Sequence, residues 1–583
     1  MDKQLLKIKN ESIILKRIKE QKSNTLSHIR LFIFILTIST FIIALSSNNY
    51  RYLIITFLFL IFFIFLVAIH DKIIKEINKI SKYIQIISRY ENRLNEKWKD
   101  EEINQQGEFK HPTNDLDIIG NDSLLKYINF TNSLGGLKKL ISSLNLNTYT
   151  KTSILNSQSS IKELKEKQKF ILDFQYNLSK IENINNINYQ ECLSYFQKVK
   201  EENKIITLIS YILSILSIVI LIISQMNSKM YSLLLIIIII QMFLSYICSI
   251  RHSKEFDSIN KTVRQFGNLS KTFDVITNQQ FNSSNNKNLQ EKIIKGQKSI
   301  KLLVKISNLN SLRLNFITYI IFNTFISLNF IIIKRYNFLM NNNLDSLKES
   351  INALEEFERL ISLTTICFVK KETSLPIISE NNEIKAKSIK HPLINEKQCI
   401  PNDFYTIDEI NIITGSNMSG KTSFMKTIGI NLILAYNGTY VNATSFTIPI
   451  AKIFTSINVK DDISKGISTF YGELERIKEI IEYNNDNKKP IIVFIDEIFK
   501  GTNYNDRILG AKEVLKHLVS MNCIAFITTH DFELCSSENN KINNYHFTET
   551  YHKNKIHFDY KIKEGQCKTT NAKYLMKQMK IIK

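Results

Sequence analysis

The stretch Ile412-Ile413-Thr414-Gly415-Ser416-Asn417-Met418-Ser419-Gly420-Lys421-Thr422-Ser423 decides the reading of this chain. Gly415 to Thr422 satisfies G-x-x-x-x-G-K-[ST], follows the apolar run Ile410 to Ile413, and precedes a helical pattern from Ser423 to Ala435. Strand, glycine loop and helix in that order are what a phosphate-binding loop (P-loop) requires. Glycines let backbone N–H groups curl around phosphates, and the helix N-terminus adds a favourable dipole. Gly415, Ser416, Asn417, Met418, Ser419, Gly420, Lys421, Thr422 and Ser423 form the candidate nucleotide-binding set. Lys421 is placed to reach the β- and γ-phosphates of ATP, and the Thr422 hydroxyl to hold Mg2+.

Downstream, Pro490 to Glu497 is an apolar strand pattern ending in two carboxylates. Alternation along a strand sends neighbouring side chains to opposite faces, which gives Asp496 and Glu497 different tasks. Asp496 suits Mg2+, directly or through water, and Glu497 suits polarising the attacking water. A third strand pattern, Ile524 to Thr529, ends at His530, a candidate γ-phosphate sensor at the carboxyl edge of the sheet. From about Ile410 onward, short apolar runs alternate with helical patterns, which predicts an α/β domain with a largely parallel sheet.

Upstream the texture is different. Leu31 to Ser46, Tyr52 to Ile69, Ile205 to Ser224 and Tyr231 to Ile250 contain no charged side chain. About 20 such residues cross about 30 Å of hydrocarbon, and the short linkers within each pair predict two helical hairpins. Basic residues crowd the outer flanks (Lys16, Arg17, Lys19, Lys22 and Arg30; Lys72, Lys75 and Lys79; Arg251 and Lys254), whereas the linkers hold only Arg51 and Lys229. That asymmetry predicts a multi-pass protein of the cell membrane with both termini and the P-loop in the cytoplasm. A fifth apolar segment, Leu314 to Ile333, carries Asn315, Asn323 and Asn329; an odd number of crossings would move the P-loop away from ATP, so it is read as a buried helix. Asp71 to Glu102 reads as a stalk helix, and Asn278 to Asn288 as a loop.

The 583 residues are too many for one ordinary domain, and 44% hydrophobic content excludes wholesale disorder. The net charge of +22 suits nucleic acid or anionic lipid without choosing between them. Seven scattered cysteines without a C-x-x-C pair argue against disulfides and zinc, and fit a reducing compartment.

The runs ITGSNMSGKTS and IDEIFKGTNYNDRILGA resemble the Walker A and Walker B segments of the MutS family, with Asn-Met inside the loop and Gly-Thr after the acidic pair. ITTHDFEL resembles the family's histidine motif, Lys390 to Ile394 the way into its nucleotide domain, and IKEGQCKTTNAKYLMKQMKI the way out. Ile453 to Phe470 is similar to the segment before the signature helix. The resemblance implies that Ser468 and Thr469 reach the nucleotide of a partner subunit, making a homodimer with composite sites. His111 to Leu125 and Leu134 to Lys139 resemble the start of the family's helical core, where Gly135 or Gly136 allows close packing.

The expected fold is therefore multi-domain: α-helical membrane hairpins and a MutS-like helical core, followed by an α/β P-loop ATPase domain of ABC-like type. The chain divides into a basic N-terminus (1–30), hairpin 1 (31–69), a stalk (70–110), the first stretch of the helical core (111–204), hairpin 2 (205–250), the second stretch of the core, or lever (251–384), and the ATPase domain (385–583). Residues 1–110 hold a hairpin and stalk where mismatch-reading relatives carry a Phe-x-Glu wedge domain, so mismatch recognition of that kind is not expected. Cys399 stands about where the family often has an aromatic that stacks on adenine. The resemblance implies a dimeric ATPase that binds DNA. The alternatives are a transporter-like or mechanical membrane ATPase and an ATP-driven scaffold for a protein partner; against transport, the spans hold no charge and the L-S-G-G-Q signature of ABC transporters is absent.

Overall fold

The computed structural model describes residues 2–47, 50–101, 112–146, 149–179, 203–457, 469–487, 489–500, 502–536, 539–552 and 555–567. The chain divides into two compact units, Met1–Asp100 with Cys367–Lys371, and Glu101–Ile366 with Glu372–Lys583.

The first unit is a single long hairpin of α1 (Lys3–Ser47) and α2 (Tyr50–Leu94). The basic N-terminus and the stalk, which the sequence suggested as separate segments, continue the apolar helices without a break. No glycine or proline interrupts either run, so nothing stops helix propagation where hydrophobicity gives way to charge. The charged halves pair antiparallel through Lys9–Glu91 and Lys19–Glu76, and Ser23 and Arg30 both meet His70. The other halves leave Leu31, Ile54 and their neighbours exposed. The helix of the stalk ends at Leu94 rather than near Glu102, and a 3-10 turn at Lys97–Asp100 buries Trp98.

The second unit opens with a helical core: α3 (Leu124–Ile128), α4 (Leu134–Leu144), α5 (Lys151–Glu166) and α6 (Gln168–Leu178). Ser123, Ser133 and Thr150 cap three of these helices with side-chain oxygens on orphan backbone N–H groups. Next come α7 (Lys204–Ser224) and α8 (Met230–Arg251), then α9 (Ser253–Thr277) and α10 (Ser284–Ser311). Half of the asparagine-rich stretch expected to be a loop thus belongs to α10. The apolar portions of α1 and α2, together with α7 and α8, make four helices long and apolar enough to cross a membrane.

The fifth apolar segment is not one buried helix. It breaks into α11 (Phe316–Ile326) and α12 (Leu328–Asn342), bent by 77° at Ser327 in the left-handed region. α12 buries one side against α10 and α8 and leaves Lys334, Arg335 and Phe338 exposed, whereas α11 packs against α7 and α8 and leaves Phe316 76% exposed. Of its asparagines, Asn315 caps the start of α11, and Asn323 and Asn329 bond to each other across the break.

α13 (Leu344–Leu363) is the central rod, packed on α10 and α4. A Cβ on Gly135 would fall 1.8 Å from Glu355 Oε1, and one on Gly136 2.5 Å from Glu358 Oε2, so both glycines permit the approach of α4. Phe357 sits within Phe170, Phe174 and Phe281 at ring-centroid distances of 5.5–6.4 Å. It is wholly buried, and Phe357→Ala should destabilise this core by about 3–5 kcal/mol, measured as an earlier urea midpoint for the detergent-solubilised chain.

The C-terminal domain holds a four-stranded sheet in the order β1-β5-β2-β3 and a six-stranded sheet in the order β12-β9-β4-β8-β7-β6. The first uses β1 (Ile377–Ile378), β2 (Glu383–Ile389), β3 (Asn402–Ile407) and β5 (Ser445–Ile448). The second uses β4 (Ile410–Thr414), β6 (Lys452–Ser456), β7 (Ile491–Asp496), β8 (Cys523–Thr528), β9 (Ile542–His546) and β12 (Lys563–Glu564). β9, β4, β8, β7 and β6 pair in parallel, and only β12 runs against them. β4, β7 and β8 are buried along their whole length, which is why they read as unbroken apolar runs. α14 (Lys421–Tyr436), α15 (Thr469–Asn487) and α16 (Tyr504–Ser520) connect strands, and β10 (Glu549–His552) with β11 (Lys555–Phe558) forms a hairpin.

Candidate functional site

The parallel sheet brings the carboxyl ends of β4, β7 and β8 side by side, and with them the residues singled out from the sequence. The loop 415–420 leaves β4 and enters α14 at Lys421. Gly415 and Gly420 have φ of +147° and +111°. A Cβ on Gly415 would lie 3.0 Å from the Phe547 carbonyl oxygen, and one on Gly420 3.2 Å from the Tyr560 ring. Only glycine satisfies both conditions without strain.

Lys421 is buried, and its Nζ donates to the carbonyls of Gly415 (2.7 Å) and Ser416 (3.1 Å). Burial lowers the pKa of its amine, while the carboxylates of Glu497 and Asp496 pull the other way. The Thr422 hydroxyl donates to the Asp496 carboxylate, 3.0 and 3.1 Å from its two oxygens, and Thr528 Oγ1 donates to Asp496 Oδ1 at 2.5 Å. This cluster of hydroxyl and carboxylate oxygens is a donor set that suits a hard cation such as Mg2+.

β7 ends at Asp496, and Glu497 lies beyond it with φ of +53°. The two carboxylates therefore diverge because of a left-handed turn, not because of strand alternation. Such a conformation costs a non-glycine residue energy that surrounding contacts must offset. Here the Glu497 N–H donates to both the carbonyl (3.1 Å) and the hydroxyl (3.0 Å) of Thr528. Its carboxylate lies 3.3 Å from His530 Nε2 and 3.2 Å from Lys500 Nζ. The His530 hydrogen bond, with Lys500 beside it, outweighs partial burial and holds this carboxyl down at about 2. His530 Nε2 is also 3.4 Å from Lys421 Nζ. Lys421, Thr422, Asp496, Glu497 and His530 thus form one contact network. Ser468 lies outside the described residues; Thr469 begins α15.

The loop opens on a cleft of ≈590 Å3 lined by Ile389, His391, Cys399, Phe547 and Tyr560 beside the loop residues. The sequence reading missed Phe547 and Tyr560, which supply aromatic surface in a cleft where Cys399 supplies none. The aromatic residues Phe547, Phe558 and Tyr560 after the last apolar strand were the available signal, but without a fold they read as an ordinary hairpin.

Two aspartates from the helical core were missed as well. Asp115 Oδ2 accepts from Arg476 NH1 (2.7 Å) on α15 and from the Ile457 N–H (3.0 Å). Asp117 accepts from Lys426 on α14 at 2.6 Å. Further along, Arg507 on α16 grips Asp531 through two 2.9 Å bonds, and Thr439, just past α14, donates to the Leu363 carbonyl of α13. Among the described residues, α14, α15 and α16 are thus each tied to another part of the chain by an ion pair. Among the described residues no three or more His, Cys, Asp or Glu side chains gather as a metal site, and no disulfide is present.

Comparison with known proteins finds the family model MutS domain V over residues 411–580. The chain is 32% identical over 205 residues to the DNA mismatch repair protein MutS of Clostridioides difficile (strain 630), covering 34% of this chain and 21% of that protein. It is 31% identical over 233 residues to the DNA mismatch repair protein MutS of Aquifex pyrophilus, covering 39% and 27%. To MutS protein homolog 4 of Mus musculus it is 36% identical over 196 residues, covering 31% and 20%. The chain thus spans about a fifth to a quarter of the length of these curated relatives.

Proposed function

We propose, from the premise that this chain belongs to the MutS family through its C-terminal domain, that it is a membrane-anchored, dimeric ATPase of the mismatch-repair family that binds DNA. The observation that carries the reading is that Lys421, Thr422 and Glu497 line one cleft, with Asp496 bonded to Thr422 and His530 in contact with Lys421 and Glu497. Lys421 would exchange its two loop carbonyls for the β- and γ-phosphates of ATP. The ionised Glu497 would accept a hydrogen bond from the attacking water and orient it, and His530 would meet the γ-phosphate. Thr422 and Asp496 would hold Mg2+, which when bound neutralises phosphate charge. Phe547 and Tyr560 would pack against the base. The ABC-like mode of dimerisation, with Ser468 and Thr469 facing a partner's nucleotide, belongs to the same proposal, as do four membrane spans and a cytoplasmic nucleotide site.

His530→Ala offers a pH test. Loss of the hydrogen bond lets the Glu497 carboxyl rise toward the ordinary carboxylate range. The acid limb of the ATPase pH–rate profile should then move to higher pH than in the parent chain. An unmoved limb would separate His530 from the titration of Glu497.

For DNA, α10 presents Lys287, Lys295, Lys298 and Lys305 on its exposed side. Four phosphate contacts would give the logarithm of affinity a slope of roughly −3.5 against the logarithm of salt. Binding of duplex, branched and mismatched DNA by detergent-solubilised protein, with ATPase rates alongside, tests the DNA half; no binding at low salt removes it. The second reading, a mechanical or transporter-like membrane ATPase, draws support from one observation: Gln241 and Ser210 are fully buried within the apolar hairpin and hydrogen-bonded to each other.

A further inference from the structure

We infer that α11 and α12 form a re-entrant membrane loop, which enters the bilayer beside the second hairpin, turns at Ser327 and leaves on the side it entered. The inference rests on reading α7 and α8 as membrane spans, and its partner is the acyl chain region of the lipid.

The way in is marked at the base of the hairpin. Arg313, just before α11, donates to Ser249 Oγ (3.1 Å) near the end of α8, donates to Asn310 Oδ1 (3.0 Å), and lies over the Phe256 ring. Asn315 caps the helix. From there α11 runs 11 residues, or about 16 Å, roughly half the hydrocarbon thickness. One face is apolar and open: Phe316, Ile317, Ile321 and Ile326 are 47–76% exposed. Toward the break the helix becomes enclosed: Asn323 and Thr324 are buried where α11 packs on α7 and α8.

The turn needs polar partners, because non-helical backbone at membrane depth is tolerated only when buried in protein. The hairpin supplies them. Gln241 Nε2 donates to the Asn323 carbonyl (3.1 Å) and contacts Ser327 Oγ (2.8 Å). Ser217 Oγ donates to the Thr324 carbonyl at 3.3 Å, and Ser327 Oγ to the Ser210 carbonyl at 2.9 Å. The Asn329 N–H donates to Asn323 Oδ1 at 3.0 Å. Ser210, Ser214 and Ser217 fall at helical spacing on the one side of α7 that faces the break. This accounts for hydroxyls in a helix that otherwise looks made for lipid.

Return to the same side is shown by what α12 meets. Asn329 Nδ2 donates to the Ser245 carbonyl and to Ser249 Oγ, both at 3.0 Å. One turn further, Ile333 lines a small cavity with Asn203, Arg251 and His252, the two ends of the hairpin at its base. A full crossing would instead carry Ile333 to the level of Lys229.

The test uses single tryptophans at exposed positions, in vesicles whose lipids carry bromine either deep in the chains or near the headgroup; Trp98 of the parent chain sets the background. Ile215→Trp on α7 reports the span itself. Ile326→Trp should be quenched best by the deep bromine and Phe316→Trp by the shallow one. Asn342→Cys and Asn282→Cys should react with an impermeant maleimide from the same side, read against the parent chain. If Ile215→Trp is quenched but Ile326→Trp is not, α11 lies outside the bilayer and the inference falls while the anchor stands. Labelling from opposite sides would make the pair a complete span and also overturn it. If Ile215→Trp is itself unquenched, the anchor reading fails and takes the inference with it.

Discussion

Replacing Glu497 by glutamine should lower the rate of ATP turnover by about 10²- to 10⁴-fold while nucleotide binding survives. The substitution keeps the size of the side chain and its place beside His530 and Lys500, but removes the acceptor charge. In the parent chain His530 and Lys500 favour the ionised form and hold the carboxyl down at about 2, so the charge is in place at neutral pH. Single-turnover hydrolysis measured beside equilibrium binding of a fluorescent ATP analogue separates the two effects. A variant that hydrolyses ATP at the parent rate would remove Glu497 from the chemistry.

Lys421→Ala should act earlier, on binding. The ammonium is buried, and the Gly415 and Ser416 carbonyls with the nearby Glu497 and Asp496 carboxylates offset its loss of water. Bound phosphates would then be left in a buried loop without their counter-charge. Truncating one partner of a buried, hydrogen-bonded charge pair costs about 2–5 kcal/mol, between roughly thirtyfold and several thousandfold in affinity. Calorimetric titration with a non-hydrolysable ATP analogue checks it. Affinity within a factor of about three of the parent would place the phosphates elsewhere.

The loop, both carboxylates and His530 were legible from sequence because each sits at the end of an apolar strand, and a parallel sheet brings such ends to one edge. Strand alternation was the wrong reason for the divergence of Asp496 and Glu497, since a left-handed residue cannot be seen in an alternating pattern. Asp115 and Asp117 were invisible as ties for a different cause: their partners Arg476 and Lys426 lie more than 300 residues away. Tyr560 reaches the loop only by the course of the chain after β11. The two hairpins were legible because apolarity over 20 residues needs no tertiary context. The fifth segment misled because counting crossings argued against a span and left one buried helix, whereas nothing in the pattern marks Ser327 as a break whose Asn329 N–H finds Asn323 Oδ1.

α13 links these elements mechanically. At one end its Leu363 carbonyl accepts from Thr439, just beyond the nucleotide-loop helix; at the other it follows directly from α12. Near Glu355 and Glu358 it bears on the bare backbone of Gly135 and Gly136, a contact that would act as a fulcrum if α13 tilts during the ATP cycle. At 1.5 Å per residue the arm toward Leu363 is about 10 Å and the arm toward Leu344 about 18 Å. A stiff rod on that fulcrum would nearly double any small displacement made at the nucleotide end by the time it arrives at Leu344. Filling either glycine would jam the pivot without touching ATP.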